Sequence, residues 1–132
     1  MKQGFQTVIA SVVTSDGRNF KLREPIEYIT QSGTSYTIPA GANTDGASTP
    51  PAIWFTLPPF GNYWLAAVLH DSAYQNTLLF SGTNTKAALS KADCDLLLKE
   101  AMQSLGVSAD TVDVIYEGVA VGGWKAFKED RS

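Results

Sequence analysis

The sequence predicts an α+β fold, with a small N-terminal antiparallel sheet, a long ordered Pro/Gly loop and three C-terminal helices. Three features of the chain predict it. Up to residue 38, short β-branched and aromatic runs alternate with turn residues. Five of the six prolines then fall between Pro39 and Pro59. From Tyr63 onward, apolar residues recur at helical spacing.

The β half is read as four pieces. Thr7–Val13 is a short apolar strand ended by Ser15-Asp16-Gly17. Phe20-Lys21-Leu22 alternates, and Pro25 marks an edge or a break because proline has no N–H to give a ladder. Glu27–Thr30 and Ser35–Ile38 flank Gln31-Ser32-Gly33-Thr34, a glycine-containing loop of hairpin length. Residues 39–62 carry glycines and prolines but also Ile53, Trp54, Phe55, Leu57 and Phe60. Such apolar bulk needs covering, so an ordered loop wrapped on the helices is expected rather than disorder.

The helical half follows. Asn62 can cap an amphipathic helix from Tyr63 to about Asn76, on which Tyr63, Ala66, Ala67, His70 and Tyr74 share a face. A polar connection, Phe80 to Thr85, leads to a second helix over Lys91–Leu105, capped by Ser90 with Asp93 and stopped by Gly106. Ser108 or Asp110 caps a third helix from Thr111 to about Phe127. Gly118, Gly122 and Gly123 would each weaken it by ~1 kcal/mol relative to alanine. Close approach of a neighbouring helix backbone is the expected compensation.

The whole chain, residues 1–132, reads as one domain, since 132 residues with 44% hydrophobic content can bury one ordinary core. The net charge is -3, with Lys and Arg scattered, so no footprint for nucleic acid is visible and no nucleic-acid partner is expected. The single cysteine, Cys94, excludes an internal disulfide and suits a reducing compartment. It lies mid-helix among leucines, as a small buried hydrophobe does. No signal-peptide core and no membrane span are recognised, so a soluble protein is expected. One histidine rules out zinc sites built on several, while a hard cation held by oxygens stays open.

The chemistry concentrates in Ala66-Ala67-Val68-Leu69-His70-Asp71-Ser72-Ala73-Tyr74. Adjacent residues on a helix point about 100° apart, so His70 and Asp71 cannot pair well with each other. A base at His70 therefore needs an acid from another element, and Asp95 or Asp93 on the next helix is the candidate. Asp71 would then face a cation or a loop donor. Two readings stand side by side: a water-activating base with an orienting acid, or a core histidine satisfied between packed helices. Tyr74, one turn after His70, could orient the acid. Asp45, in Asn43-Thr44-Asp45-Gly46-Ala47-Ser48, is a second candidate cation ligand and equally an ordinary turn residue. Ser48 is the weaker candidate for a nucleophile, having only His70 to activate it. Trp54, Trp64 and Trp124 are expected as core or loop anchors.

On these residues the chain is similar to a family found in bacteriophages, prophages and bacteria, catalogued as domain of unknown function 1353. The resemblance rests on Tyr28, on Ile38-Pro39-Ala40-Gly41 running into Thr44-Asp45-Gly46-Ala47-Ser48-Thr49-Pro50, and on the His70 run. It continues through Lys91 with Asp95, Glu100-Ala101-Met102, Gly106, Tyr116, Val119, Gly122 and Trp124. Lys91 stands where the family tends to have arginine, and Asp93 adds an acid. The resemblance implies a phage or prophage origin. With it goes a place in the host cytoplasm during infection, or in association with the virion.

A looser resemblance links His70-Asp71-Ser72-Ala73-Tyr74 and Cys94-Asp95 to the helix pair of secreted phospholipases of the A-two class. It implies His70 as the base that activates water, Asp71 as a Ca²⁺ ligand, and Asp95 with Tyr74 orienting the histidine. The glycine-rich calcium loop and the disulfides of those enzymes have no counterpart here; Asp45–Ser48 or Phe60-Gly61-Asn62 would replace the loop. Together these readings give two expectations for function. One is a Ca²⁺-assisted hydrolase acting on an ester or amide of the host envelope. The other is a non-enzymatic virion accessory or inhibitor that binds a phage structural or host protein through Trp54, Phe60 and the loop bearing Ser48.

Overall fold

A computed structural model describes residues 3–6, 12–13, 20–44 and 64–131. The expected strand Thr7–Val13 is described only at its end, and the segment 45–63, which holds Asp45, Ser48, Trp54 and Phe60, lies outside the described residues.

The chain is α+β. Strands β1 (Gly4–Phe5), β4 (Ile26–Ile29), β5 (Ser35–Ile38) and β7 (Leu79–Phe80) form an antiparallel sheet in the order β1-β4-β5-β7. Strands β2 (Val12–Val13), β3 (Phe20–Leu22) and β6 (Asn43–Thr44) form a second, three-stranded antiparallel sheet. The four pieces read from the sequence thus divide between two sheets. The polar connection after the first helix also contributes β7, a two-residue strand too short to carry a pattern.

The β4–β5 hairpin forms as its alternation requires. Ile26 faces Ile38 and Tyr28 faces Tyr36 across the ladder, and all four are buried. The intervening Glu27, Ser35 and Thr37 share a hydroxyl–carboxylate chain with Ser81. At the turn, Thr34 N–H reaches Thr30 Oγ1 at 3.0 Å, and Gly33 takes a φ of 95° that a side chain would resist.

Among the described residues, four helices follow: α1 (Trp64–Tyr74), α2 (Lys91–Ser104), α3 (Ala109–Gly122) and α4 (Trp124–Asp130). The expected amphipathic character of α1 is corrected, because every residue from Leu65 to Tyr74 is buried. A helix covered on all sides is the central element of its domain. It ends in a Schellman motif: Asn76 at φ 58°, Thr77 N–H on Ser72 O, and Asn76 N–H on Ala73 O.

Helix α2 begins at Ser90, whose hydroxyl accepts from Asp93 N–H at 3.2 Å. It ends in the same motif, with Gly106 at φ 79° and Val107 N–H on Met102 O. Its buried face, Lys91, Cys94, Asp95, Leu98, Ala101 and Met102, follows the helical repeat. Glu100 fastens α2 to the hairpin, accepting from Tyr28 Oη at 2.8 Å and from Gln31 N–H at 2.9 Å.

Ser108, not Asp110, caps α3. The single third helix expected to run to Phe127 is two helices, broken at Gly123. The chain then returns to the centre of the molecule. Arg131 Nε donates to Tyr74 O at 2.7 Å, and its Nη2 donates to Ala73 O at 3.0 Å and Leu89 O at 2.7 Å. A cation there adds charged donors to carbonyls at the end of α1 and complements its dipole. Arg131→Ala should therefore cost about 2 kcal/mol, the scale of hydrogen bonds to a charged group. The check is a lower urea midpoint at unchanged secondary structure.

Candidate functional site

The site is built from two helical pairs that face each other. His70 and Tyr74 are four apart on α1, and Lys91 and Asp95 are four apart on α2, so each pair lies on one stripe of its helix. Packing of α1 on α2 brings the stripes together around the Asp95 carboxylate. His70 Nε2 lies 2.8 Å from Asp95 Oδ1, and Tyr74 Oη donates to the same oxygen at 2.6 Å. Lys91 Nζ donates to Asp95 Oδ2 at 2.7 Å. It also donates to Val119 O at 2.9 Å and Ala120 O at 3.2 Å, in the last turns of α3.

An ammonium has three protons, and all of those of Lys91 are engaged. His70 is 0%, Asp95 2% and Lys91 4% exposed, so this is a desolvated cluster rather than a surface ion pair. Aromatic packing continues outward from it. The rings of His70 and Tyr74 lie 4.1 Å apart, Tyr74 and Phe127 5.2 Å, and Phe127 and Trp124 6.3 Å.

The electrostatics follow from these contacts. Burial, the largest single influence on Asp95, pushes its carboxyl up. The hydrogen bonds from His70, Lys91 and Tyr74 together outweigh it and hold Asp95 below the ordinary carboxylate value. Asp95 is thus an anion at neutral pH and can only accept. Since Nε2 of His70 faces an anionic acceptor, it is the donor in this bond. Burial and then the bond to Asp95 push the Tyr74 phenol well above its usual range, keeping it a donor. Burial likewise pushes the Cys94 thiol up to about 12, which leaves no thiolate for catalysis.

The site residues expected from the sequence separate as follows. His70, Tyr74 and Asp95 meet, whereas Asp93, the other candidate acid, is exposed at the first turn of α2. Asp71 is buried on another sector of α1. Asp45, Ser48, Trp54 and Phe60 lie outside the described residues. The expectation that Trp124 is a core or loop anchor is corrected: it is 53% exposed and flanks a cleft of about 460 Å³. The cleft runs between the start of α2, the end of α3 and α4, and His70 is not among its lining residues. Among the described residues, no three His, Cys, Asp or Glu side chains gather where they could hold an ion.

Lys91 is the member of the cluster to which the sequence assigns no chemical role. Its signal was the four-residue spacing to Asp95, which marks a pair on one helix face but says nothing of burial. Gly123 fits the expected close backbone approach. A Cβ there would lie 2.6 Å from Tyr74 Oη, 2.6 Å from Val119 O and 3.5 Å from Lys91 Cε. The break between α3 and α4 therefore packs directly on the cluster.

Two outcomes are expected. Gly123→Ala should destabilise the fold by about 1–3 kcal/mol through overpacking, read as a loss in urea midpoint. Asp95→Asn should cost about 3–5 kcal/mol at neutral pH, because it leaves the Lys91 ammonium buried without its counter-ion. Since the folded carboxyl value is depressed, its stabilisation is complete above the unfolded value of about 4 and fades as pH falls below it. The wild type should accordingly lose stability more steeply than Asp95→Asn below about pH 4, in urea titrations at stepped pH.

Comparison with known proteins supplies one relationship. No curated protein and no solved structure matches the chain. A family model described as protein of unknown function (DUF1353) matches residues 20–119, a span that holds His70, Tyr74, Lys91 and Asp95. With that span covering most of its length, the chain belongs to the DUF1353 family.

Proposed function

We propose that the chain is a hydrolase in which His70 activates water against an ester or amide. One observation carries this reading: Asp95 Oδ1 accepts from His70 Nε2 and Tyr74 Oη together, which fixes both the tautomer and the orientation of the ring. A general base needs that arrangement, with a proton donated to an anchoring carboxylate and the opposite nitrogen basic. Nδ1 takes a proton from water, and the hydroxide adds to the carbonyl carbon. The imidazolium then returns the proton to the leaving oxygen or nitrogen as the acyl bond breaks. Lys91 acts through Asp95, holding the second carboxylate oxygen while His70 holds the first. The order of residues along the two helices agrees with the phospholipase likeness. A phage origin and an envelope substrate extend the same proposal from the family resemblance.

A Ca²⁺ role for Asp71 and Asp45 is carried over from the phospholipase likeness. Ca²⁺ takes six to eight oxygens, and among the described residues no three His, Cys, Asp or Glu side chains gather to hold one.

A second reading is favoured by the full burial of His70 and the bridging of α2 to the end of α3 by Lys91. Under it the cluster is a structural pin, and the protein is a virion accessory or inhibitor that binds a phage or host protein.

The deciding experiment assays p-nitrophenyl esters and phospholipid vesicles, in Ca²⁺ and in chelator, with wild type, His70→Gln and Asp71→Asn. Turnover is expected to fall at least ~100-fold in His70→Gln, the usual worth of a general base. The melting curve of that variant should stay cooperative. Equal rates in wild type and His70→Gln, or none above buffer, would overturn the hydrolase reading in favour of the pin. A chelator-sensitive rate lost in Asp71→Asn would assign the cation to Asp71, and an insensitive one would remove it.

A further inference from the structure

The cleft beside Trp124 has features of a ligand site and is separate from the nitrogen that the hydrolase reading uses. Its volume of about 460 Å³ falls in the range of small-molecule pockets. Tyr116, Trp124 and Phe127 supply aromatic walls, Ala92 lies at the rim on the exposed side of α2, and Lys91 and Asp95 reach its floor. An indole left half in solvent on a seven-residue helix is an apolar face without a cover.

The charges at the floor decide what could cover it. The Lys91 ammonium has no proton to spare for an anion, because its three are committed to Asp95 Oδ2, Val119 O and Ala120 O. A cation would seek the aromatic faces and the Asp95 carboxylate. That place is taken by Lys91 itself, whose Nζ sits 4.9 Å from the centre of the Trp124 ring and pairs with Asp95. The two charges at the floor thus neutralise each other, while the walls favour flat rings packed edge to face or offset.

We propose that this cleft binds a small uncharged aromatic molecule, stacked on Trp124 above the Lys91–Asp95 pair. The site goes beyond the proposed hydrolysis, because binding here does not call on His70. Occupancy would cover the exposed indole and press on α4, whose Phe127 also packs against Tyr74.

The test uses one ring system with three charges: 2-naphthol, 2-naphthoate and 2-naphthylmethylammonium, titrated calorimetrically at neutral pH. Saturable one-to-one binding of 2-naphthol is expected, with both charged probes at least ~10-fold weaker. Trp124→Ala, which removes a wall, and Ala92→Trp, which fills the mouth from an exposed position, should each weaken 2-naphthol at least ~10-fold. The second variant keeps the test valid if the first disturbs α4. His70→Gln should bind 2-naphthol as wild type does, so failure of the hydrolase reading and failure of this one give different results. Three outcomes would overturn the proposal: no saturable binding at millimolar 2-naphthol, binding that survives both substitutions, or preference for a charged probe.

Discussion

Asp95 holds a full negative charge among three packed helices, where an unpaired ion would cost several kcal/mol. It is kept there by donors from two helices: His70 and Tyr74 from α1, and Lys91 from one turn earlier on its own helix. The arrangement propagates. Lys91 hands its remaining protons to the carbonyls of Val119 and Ala120, in the last turns of α3. That end must come where it does, because the backbone at Gly123 lies against the Tyr74 hydroxyl. The reversal into α4 brings Arg131 back onto the carbonyls at the end of α1. One carboxylate therefore links the central helix, the helix beside it and the C-terminal pair.

The same network has two consequences that pull apart. Its saturation makes it a good structural pin, since the bonds among His70, Tyr74, Lys91 and Asp95 satisfy groups that would otherwise be buried and unpaired. Its polarity makes it a good anchor for a base, since Nε2 of His70 donates to an anionic acceptor. Buried histidine–carboxylate pairs serve either end, and the difference lies in what reaches the second nitrogen. The cleft by Trp124 reaches the other side of the cluster, at Lys91 and Asp95. The proposed chemistry at His70 and the proposed binding at Trp124 thus call on different sides of one framework, with Tyr74 and Phe127 packed between them.

Much of this was legible in the chain. The hairpin of Ile26, Tyr28, Tyr36 and Ile38 follows from alternation. The limits of α2 follow from Ser90 and Gly106, whose cap geometries are local. The choice of a partner acid for His70 was legible as a pair of candidates on α2. It settles on Asp95 because Asp95 shares a face with Lys91, Leu98 and Met102, while Asp93 turns to solvent. Two features were misjudged for one reason. The shared face of Tyr63, Ala66, Ala67, His70 and Tyr74 predicts an amphipathic α1, yet Asp71 and Ser72 are buried as well. Trp124 was placed among anchors because tryptophan is apolar, yet half of it meets water. Residue chemistry sets the cost of an environment, and partners decide whether that cost is met.

Spacing along the chain settled which side chains share a stripe, since a helix places residues four apart on one face whatever surrounds it. It thereby paired His70 with Tyr74 and Lys91 with Asp95, and it marked Gly123 as a point of close approach. Tertiary packing alone decided that the two stripes meet, that the Lys91 ammonium crosses to carbonyls 28 residues further along, and that Arg131 returns to Tyr74. Those outcomes depend on the angle and register between helices, which arise from apolar side chains packing at native density over the whole core. No local pattern encodes them, because each contact joins segments whose own conformations are indifferent to it.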